Sequence, residues 1–285
     1  MKIWITGARG MLGTTLCQLL EQRNIPFVGT DRTVDITSKN SLESFFDHHR
    51  DITHIINCAA YAKVDLAEKE EKQAHAINAK GIQNLGELAH QHNLFLTHFS
   101  TDYVFGGESN RPYQEESPCT PIGVYAKTKH QGEINLLEAH PSSCIIRTSW
   151  LFGLNGKNFV STMLTLMQNQ KILRIVSDQI GRPTYCLDLA EAALALLGKE
   201  GTYHFSNRGV TSWYEFALQI AKEGQRLGYP IVVDEIIPIT TASYPTPAKR
   251  PAYSVLDTTK IEQILDWEPR RWQEALADYL HKTKR

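Results

Sequence analysis

Apolar residues in the first half of the chain follow two alternating periods. Runs rich in β-formers at residues 2–6, 26–30, 53–57, 94–99 and 143–147 have the length and composition of strands. Between them, apolar positions recur three and four apart. Leu12, Leu16, Leu19 and Leu20 share one face of a helix over 11–21, and Ile77, Ile82, Leu85 and Leu88 do so over 73–92. Residues 42–48 and 125–138 also carry a helical pattern. This alternation of strand and helix predicts right-handed βαβ crossovers and a parallel sheet covered on both faces. After about residue 150 the rhythm breaks. Helical stretches at 159–168, 187–197 and 213–227 are separated by short strands, and Pro238, Pro245, Pro247 and Pro251 gather in one loop region. The expected fold is α/β: a doubly wound parallel sheet of Rossmann type over 1–150, with returns to it at about 171–200, and a smaller α+β unit over 151–285.

The length of 285 residues allows about two domains. Thirty Lys plus Arg against 31 Asp plus Glu leave a net charge of −1, which excludes a broadly basic nucleic-acid binder and an acidic tail. A hydrophobic share of 42% can fill real cores and excludes the disordered classes. The five cysteines (Cys17, Cys58, Cys119, Cys144, Cys186) are scattered, with no Cys-x-x-Cys pair. They read as isolated thiols in a reducing compartment, not a disulfide framework or a zinc ribbon. No stretch reaches 18 uninterrupted apolar residues, and the short apolar start lacks a signal-peptide core. The expectation is a cytoplasmic protein with no membrane and no nucleic-acid partner.

The first strand runs into Thr6-Gly7-Ala8-Arg9-Gly10-Met11-Leu12-Gly13, where a helix begins. Such a turn binds a dinucleotide pyrophosphate for three reasons. Gly7 permits the tight turn, Gly10 lets backbone approach the phosphates, and Gly13 lets helix and strand pack closely. The helix N-terminus adds free N–H groups and partial positive charge. Asp31 follows the second strand, 18 positions after Gly13, where a carboxylate can accept from ribose hydroxyls and favours NAD(H). Its neighbour Arg32 can pair with a 2′-phosphate instead and favours NADP(H). The sequence leaves both cofactors open.

Tyr125 and Lys129 stand four apart, on one face of the predicted helix. A lysine ammonium there is expected to lower the phenol pKa, and such a tyrosine can hand a proton to a carbonyl oxygen. Thr101 follows the fourth strand, and the C-terminal ends of parallel strands face the ligand crevice. Its hydroxyl can therefore reach the reacting oxygen.

Together with Asn57-Cys58-Ala59-Ala60, Ser100-Thr101-Asp102-Tyr103-Val104-Phe105 and Tyr125-Ala126-Lys127-Thr128-Lys129, the glycine turn resembles the extended short-chain dehydrogenase/reductase superfamily. Within it the chain is similar to the dTDP-4-dehydrorhamnose reductases, through residues 62–68, 147–150, 178–184 and 244–251. The resemblance covers nearly the whole chain. It implies reduction of a dTDP-linked 4-keto sugar by NADP(H) or NAD(H), with Tyr125 as proton donor, Lys129 on the nicotinamide ribose and Thr101 orienting the keto oxygen. It also implies cofactor contacts at Gly10, Met11, Leu12, Asp31, Asp35, Ile36, Ala60, Tyr61, Ala62 and Phe99, and substrate contacts at Asp102 and Trp150. Arg182 and Arg250 are candidates for the nucleotide diphosphate, with a structural ion pair as the competing reading of each. Residues 151–285 are then mainly the substrate-binding unit. The same triad serves epimerases and other sugar-nucleotide reductases. The fold also resembles the non-catalytic regulatory subunit of methionine adenosyltransferase.

Some members of the family carry an acidic residue two positions after the third glycine, linked to a metal-assisted dimer. Thr15 occupies that place here, so no metal is expected and a homodimer would use another surface. The run Glu68-Lys69-Glu70-Glu71-Lys72 reads as a solvated helix face.

Overall fold

The computed structural model of the protein describes residues 1–284. Six strands form its main sheet: β1 (Ile3–Thr6), β2 (Phe27–Thr30), β3 (His54–Asn57), β4 (Phe95–Thr101), β5 (Cys144–Thr148) and β6 (Gly201–His204). They lie in the order β6-β5-β4-β3-β1-β2, and every pairing is parallel. Side chains alternate across the sheet, so each strand feeds two cores. Ile3, Ile5, Ile56 and Ile146 meet Leu12, Leu16 and Leu20 of α1 (Met11–Gln22) on one face. Trp4, Ile55 and Ile145 meet Leu85 and Leu88 of α2 (Gly81–Gln91) and Leu136 of α3 (Gly123–Ala139) on the other. Burial on both faces explains why these strands read as continuous apolar runs. The chain steps from β1 outward to β2, then returns to β3 on the opposite side of β1. That reversal opens a crevice beyond the C-terminal ends of β1 and β3.

The helix expected over 73–92 is present and runs from Glu71 to Gln91, with one π-turn inside it. A short helix at Glu71–His75 passes into a π-turn at Ala76–Lys80 before α2 begins. The buried Asn78 is tied there from both ends of its amide. It accepts from the Tyr61 N–H at 2.8 Å and donates to the Tyr61 carbonyl at 3.1 Å and the Thr128 hydroxyl at 3.2 Å. Such π-turns sit inside otherwise continuous helices, and apolar periodicity carries no trace of them.

A third core lies entirely within residues 152–280. Phe152, Tyr185, Phe216, Trp272 and Tyr279 pack there with Met163 and Leu164. Two later segments return to the first core: 186–205, through Leu189, Ala193 and Phe205, and 261–267, through Ile261 and Leu265. Ile172–Val176 instead pairs in parallel with Glu235–Ile239, so Pro238 sits in a two-stranded ribbon and not in a loop. Among the described residues no helix is long and apolar enough to cross a membrane.

Candidate active site

The glycine turn joins β1 to α1 at the crevice. Gly7 has φ +66°, and a Cβ there would stand 2.6 Å from the Ala59 nitrogen at the end of β3. A Cβ on Gly13 would stand 2.2 Å from the Gly7 carbonyl oxygen. Neither position tolerates a side chain, and Gly10 is the N-cap of α1. The cradle therefore exposes bare backbone N–H at a helix start, which fits a pyrophosphate. Beside it runs a cleft of about 680 Å³, lined by Gly7, Gly10, Asp31, Arg32, Asp35, Ile36, Ala60, Tyr61 and Ala62 among others. Nine of the expected cofactor positions thus line one cavity. The rest lie around it. Leu12 and Phe99 are buried in the sheet core. Met11 packs beside Asn158, and Gly13 serves the close contact of helix and strand.

Beyond the C-terminal end of β4, Thr101 and Asp102 are buried and Tyr125 of α3 is half-buried. The Thr101 hydroxyl donates to Asp102 Oδ1 at 3.1 Å and accepts from the Tyr103 N–H at 3.2 Å. Thr101 is also a hydrogen-bond partner of the Tyr125 phenol. The Tyr103 and Tyr125 rings meet edge to face at 6.1 Å. Lys129 is 2% exposed, and its Nζ donates to the Phe99 carbonyl at 2.6 Å and lies 3.1 Å from His98 Nε2. The expectation of a lowered phenol is therefore corrected. Burial pushes Tyr125 up to about 12, with Asp102 adding to the rise and Thr101 opposing it, while the lysine is held by the strand beneath. Burial pulls Lys129 down to about 8 against the pull of Glu133.

Burial also pushes the Asp102 carboxyl up to about 7, and hydrogen bonds from Ser254 and Thr101 only partly offset it. Its Oδ2 has no partner. An unfolded aspartate titrates near 4, so the folded state holds the extra proton between about pH 4 and 7 and loses stability as pH rises through that window. Asp102→Asn should therefore raise the melting temperature at pH 8 and leave it nearly unchanged at pH 4. The upper bound is about 4 kcal/mol. Equal shifts in thermal melts at both pH values would contradict the raised carboxyl.

The remaining expected residues are dispersed. Trp150 takes φ +47°, stacks on Trp213 at 3.6 Å between centroids and covers Gly181. Arg250 makes a two-pronged ion pair with Asp65, at 3.1 and 2.8 Å, tying the proline-rich loop to the helix at Val64–Ala67. Arg182 donates to Thr258 at 3.3 Å and lines a separate cavity with Arg208, Asp257 and Glu262. The solvated reading of 68–72 is corrected in part. The Glu68 carboxylate accepts the Val124 N–H at 2.8 Å and so caps the helix that carries Tyr125, and Glu70 accepts from the Tyr61 phenol. Sequence reasoning also missed Asn78 and the buried pair of Glu133 and Arg147. Cys119, His130 and Glu133 converge in a metal-like cluster, but Arg147 donates into it, to Glu133 at 2.7 Å and to the Cys119 sulfur at 3.5 Å. A guanidinium already supplies the positive charge there.

A family profile described as RmlD substrate binding domain matches residues 1–285. The chain is 43% identical to the dTDP-4-dehydrorhamnose reductase of Aggregatibacter actinomycetemcomitans, over 97% of each chain. It is 41% identical to the spore coat polysaccharide biosynthesis protein SpsK of Bacillus subtilis, over 99% of this chain and 97% of that one. Among solved structures it is similar to the dTDP-4-dehydrorhamnose reductase of Bacillus anthracis in complex with NADP, at TM-score 0.93 and 35% identity over 99% of each chain. With a parallel sheet, a glycine cradle and a Thr101–Tyr125 pair at the end of β4, and with relatives matching from end to end, the chain belongs to the dTDP-4-dehydrorhamnose reductase family.

Proposed function

We propose that the chain reduces the 4-keto group of dTDP-4-dehydro-β-L-rhamnose to give dTDP-L-rhamnose, using NADPH or NADH. The observation that carries this reading is the Tyr125 phenol, hydrogen-bonded to Thr101 beside the glycine-lined cleft. When bound, the dinucleotide supplies the hydride that reaches the keto carbon. Tyr125 supplies the proton that the keto oxygen needs. A phenol held near 12 is fully protonated at neutral pH, which suits a donor. Once that proton has gone, the phenolate is a strong base and recovers it readily. Thr101 then turns its hydroxyl from Asp102 to the Tyr125 oxygen, and Asp102, held near 7, can replace the proton through Thr101. Asp31 and Arg32 line the cleft and would meet the adenosine ribose, and Lys129, held at the Phe99 carbonyl, would meet the nicotinamide ribose.

The unit over 151–285 would supply the sugar-nucleotide side, with Trp150 as a wall and Asp102 as a polar contact. Arg250, already bound to Asp65, would meet the diphosphate only by sharing its donors, and Arg182 would need to reach from its own cavity. We place the reaction in the cytoplasm, in keeping with five unpaired thiols.

The test is to add dTDP-4-dehydro-β-L-rhamnose with NADPH and NADH in parallel. Loss of reduced-cofactor absorbance, with dTDP-L-rhamnose identified by NMR, is expected. A sugar isomerised with no net oxidation of cofactor would mark an epimerase and overturn the reading.

A further inference from the structure

Trp150 stands two positions beyond the end of β5, whose last residue, Thr148, is the register partner of Thr101 in β4. It therefore leaves the sheet beside Thr101. Among the described residues only three that are not glycine have positive φ: Asn24, Asn93 and Trp150, the last at +47°. Asparagine enters that region readily, whereas a large aromatic residue does so only where its surroundings dictate it.

Two neighbours dictate it here. Trp213 lies parallel to Trp150, with 9° between the planes and 3.6 Å between centroids. At that separation the rings overlap almost fully, although aromatic quadrupoles favour an offset or an edge contact. The overlap is thus imposed by the frame around the rings. The second neighbour is the backbone of Gly181. A Cβ there would stand 2.6 Å from Trp150 Cε2, with Cζ2 and Nε1 at 2.8 and 2.9 Å, which places it above the ring and not at its rim. Cε2 lies on the bond shared by the two rings of the indole, and Trp213 already covers that centre from one side. Gly181 takes the other face, and a larger residue would push the indole away.

The frame comes from distant segments of the chain. The Trp213 Nε1–H donates to Gln179 Oε1 at 3.1 Å, and the buried Gln179 donates in turn to the Thr241 hydroxyl at 3.1 Å. Trp213 opens the helix Trp213–Arg226, whose start is fixed by reciprocal bonds between Ser212 and Glu215. Phe159 backs its ring at 4.5 Å. Ile180–Gly181 pairs antiparallel with Thr211–Ser212. Ile180 also donates its N–H to the Ala252 carbonyl at 2.8 Å and accepts from the Ser254 N–H at 2.9 Å. Ser254 is a hydrogen-bond partner of Asp102. The same short strands thus hold both the indole and the residue next to Thr101.

We propose that Trp213 is a positioning residue for the sugar of a nucleoside-diphosphate sugar: with Gly181 it clamps Trp150 before any ligand arrives, so the sugar meets a wall already in place. The inference deepens the reductase reading and rests on it for the place of the sugar. A side chain free to turn has to be ordered when the ligand binds, at a cost in affinity that a clamped one avoids. The sugar gains from this and the nucleotide does not, because Trp150 leaves the sheet beside the residue that orients the keto oxygen.

Circular dichroism of the full chain tests the clamp without ligand. Two overlapping indoles couple their electronic transitions, so the unaltered protein should show the resulting couplet, which Trp213→Leu abolishes and Gly181→Ala weakens. Calorimetric titration with dTDP-L-rhamnose and with dTDP tests what the clamp is for. Trp213→Leu and Gly181→Ala should each weaken dTDP-L-rhamnose at least about tenfold, and dTDP by less than about twofold. Trp213→Phe, which keeps a ring against Trp150, should stay closer to the unaltered protein than Trp213→Leu. Because Trp213 acts through Trp150, the double variant Trp150→Leu with Trp213→Leu should bind the sugar nucleotide no more weakly than Trp150→Leu alone. A merely structural role would make the two losses add. Additive losses overturn the proposal, as do equal losses for both ligands, unchanged affinity in Trp213→Leu, or an unaltered protein with no couplet. Should Trp213→Leu fail to fold, the native couplet and Gly181→Ala still decide. None of these readouts needs turnover. Failure of the reductase reading shows itself separately, as no cofactor oxidation with the keto sugar.

Discussion

Tyr125→Phe is expected to lower turnover of dTDP-4-dehydro-β-L-rhamnose by at least about a hundredfold, the scale of a lost general acid, with dinucleotide affinity nearly unchanged. The substitution removes one oxygen from a half-buried ring and keeps the edge-to-face contact with Tyr103. The cleft that would hold the dinucleotide is walled by the glycine turn, the end of β2 and residues 58–63, and Tyr125 is not among its lining residues. Activity and cofactor binding should therefore separate. Steady-state kinetics beside a fluorescence titration with NADPH measure the two effects. Full turnover in the variant would remove Tyr125 from the chemistry. A parallel loss of NADPH binding would instead mean that the phenol supports the cleft.

Arg147→Met should destabilise the fold by about 3–5 kcal/mol, because it leaves the Glu133 carboxylate buried without its partner. Arg147 grips Glu133 with two donors, at 3.0 and 2.7 Å, and also donates to the Glu115 carbonyl at 3.0 Å. Glu133 is 3% exposed. Burial works against its charge, but His130 and Arg147 hold it at about 2. Because this value lies below the unfolded one, the pair contributes stability above about pH 4.5 and loses it as pH falls from there toward 2. Denaturant melts from pH 7 down to pH 3 should show the native protein losing this increment and the variant lacking it throughout. A double variant, Glu133→Leu with Arg147→Met, should recover much of the loss, since no unpaired charge then remains. If the single variant is as stable as the parent, the pair is not holding α3 to β5. The pair also bears on the site, because Glu133 follows Lys129 by one turn and favours its ammonium form.

Much of this protein could be read from order alone. Apolar period and glycine placement act over a few residues, and they located β1 to β5, α1 and the phosphate-binding turn within one or two residues of where they lie. The Tyr125 and Lys129 spacing likewise put both on one helix, since four residues return to the same face whatever surrounds them. The side that Lys129 would face could not be read this way. Only the sheet beneath α3 offers it the Phe99 carbonyl and His98, and only burial decides that the phenol rises when a neighbouring cation alone would lower it. Asn78 reaching Tyr61, Arg250 reaching Asp65 and Arg147 reaching Glu133 span 17, 185 and 14 positions. Such partners have no period in the chain. They meet because parallel register sets which strand ends stand side by side, and because a buried polar group must find whatever partner the packing has brought within reach.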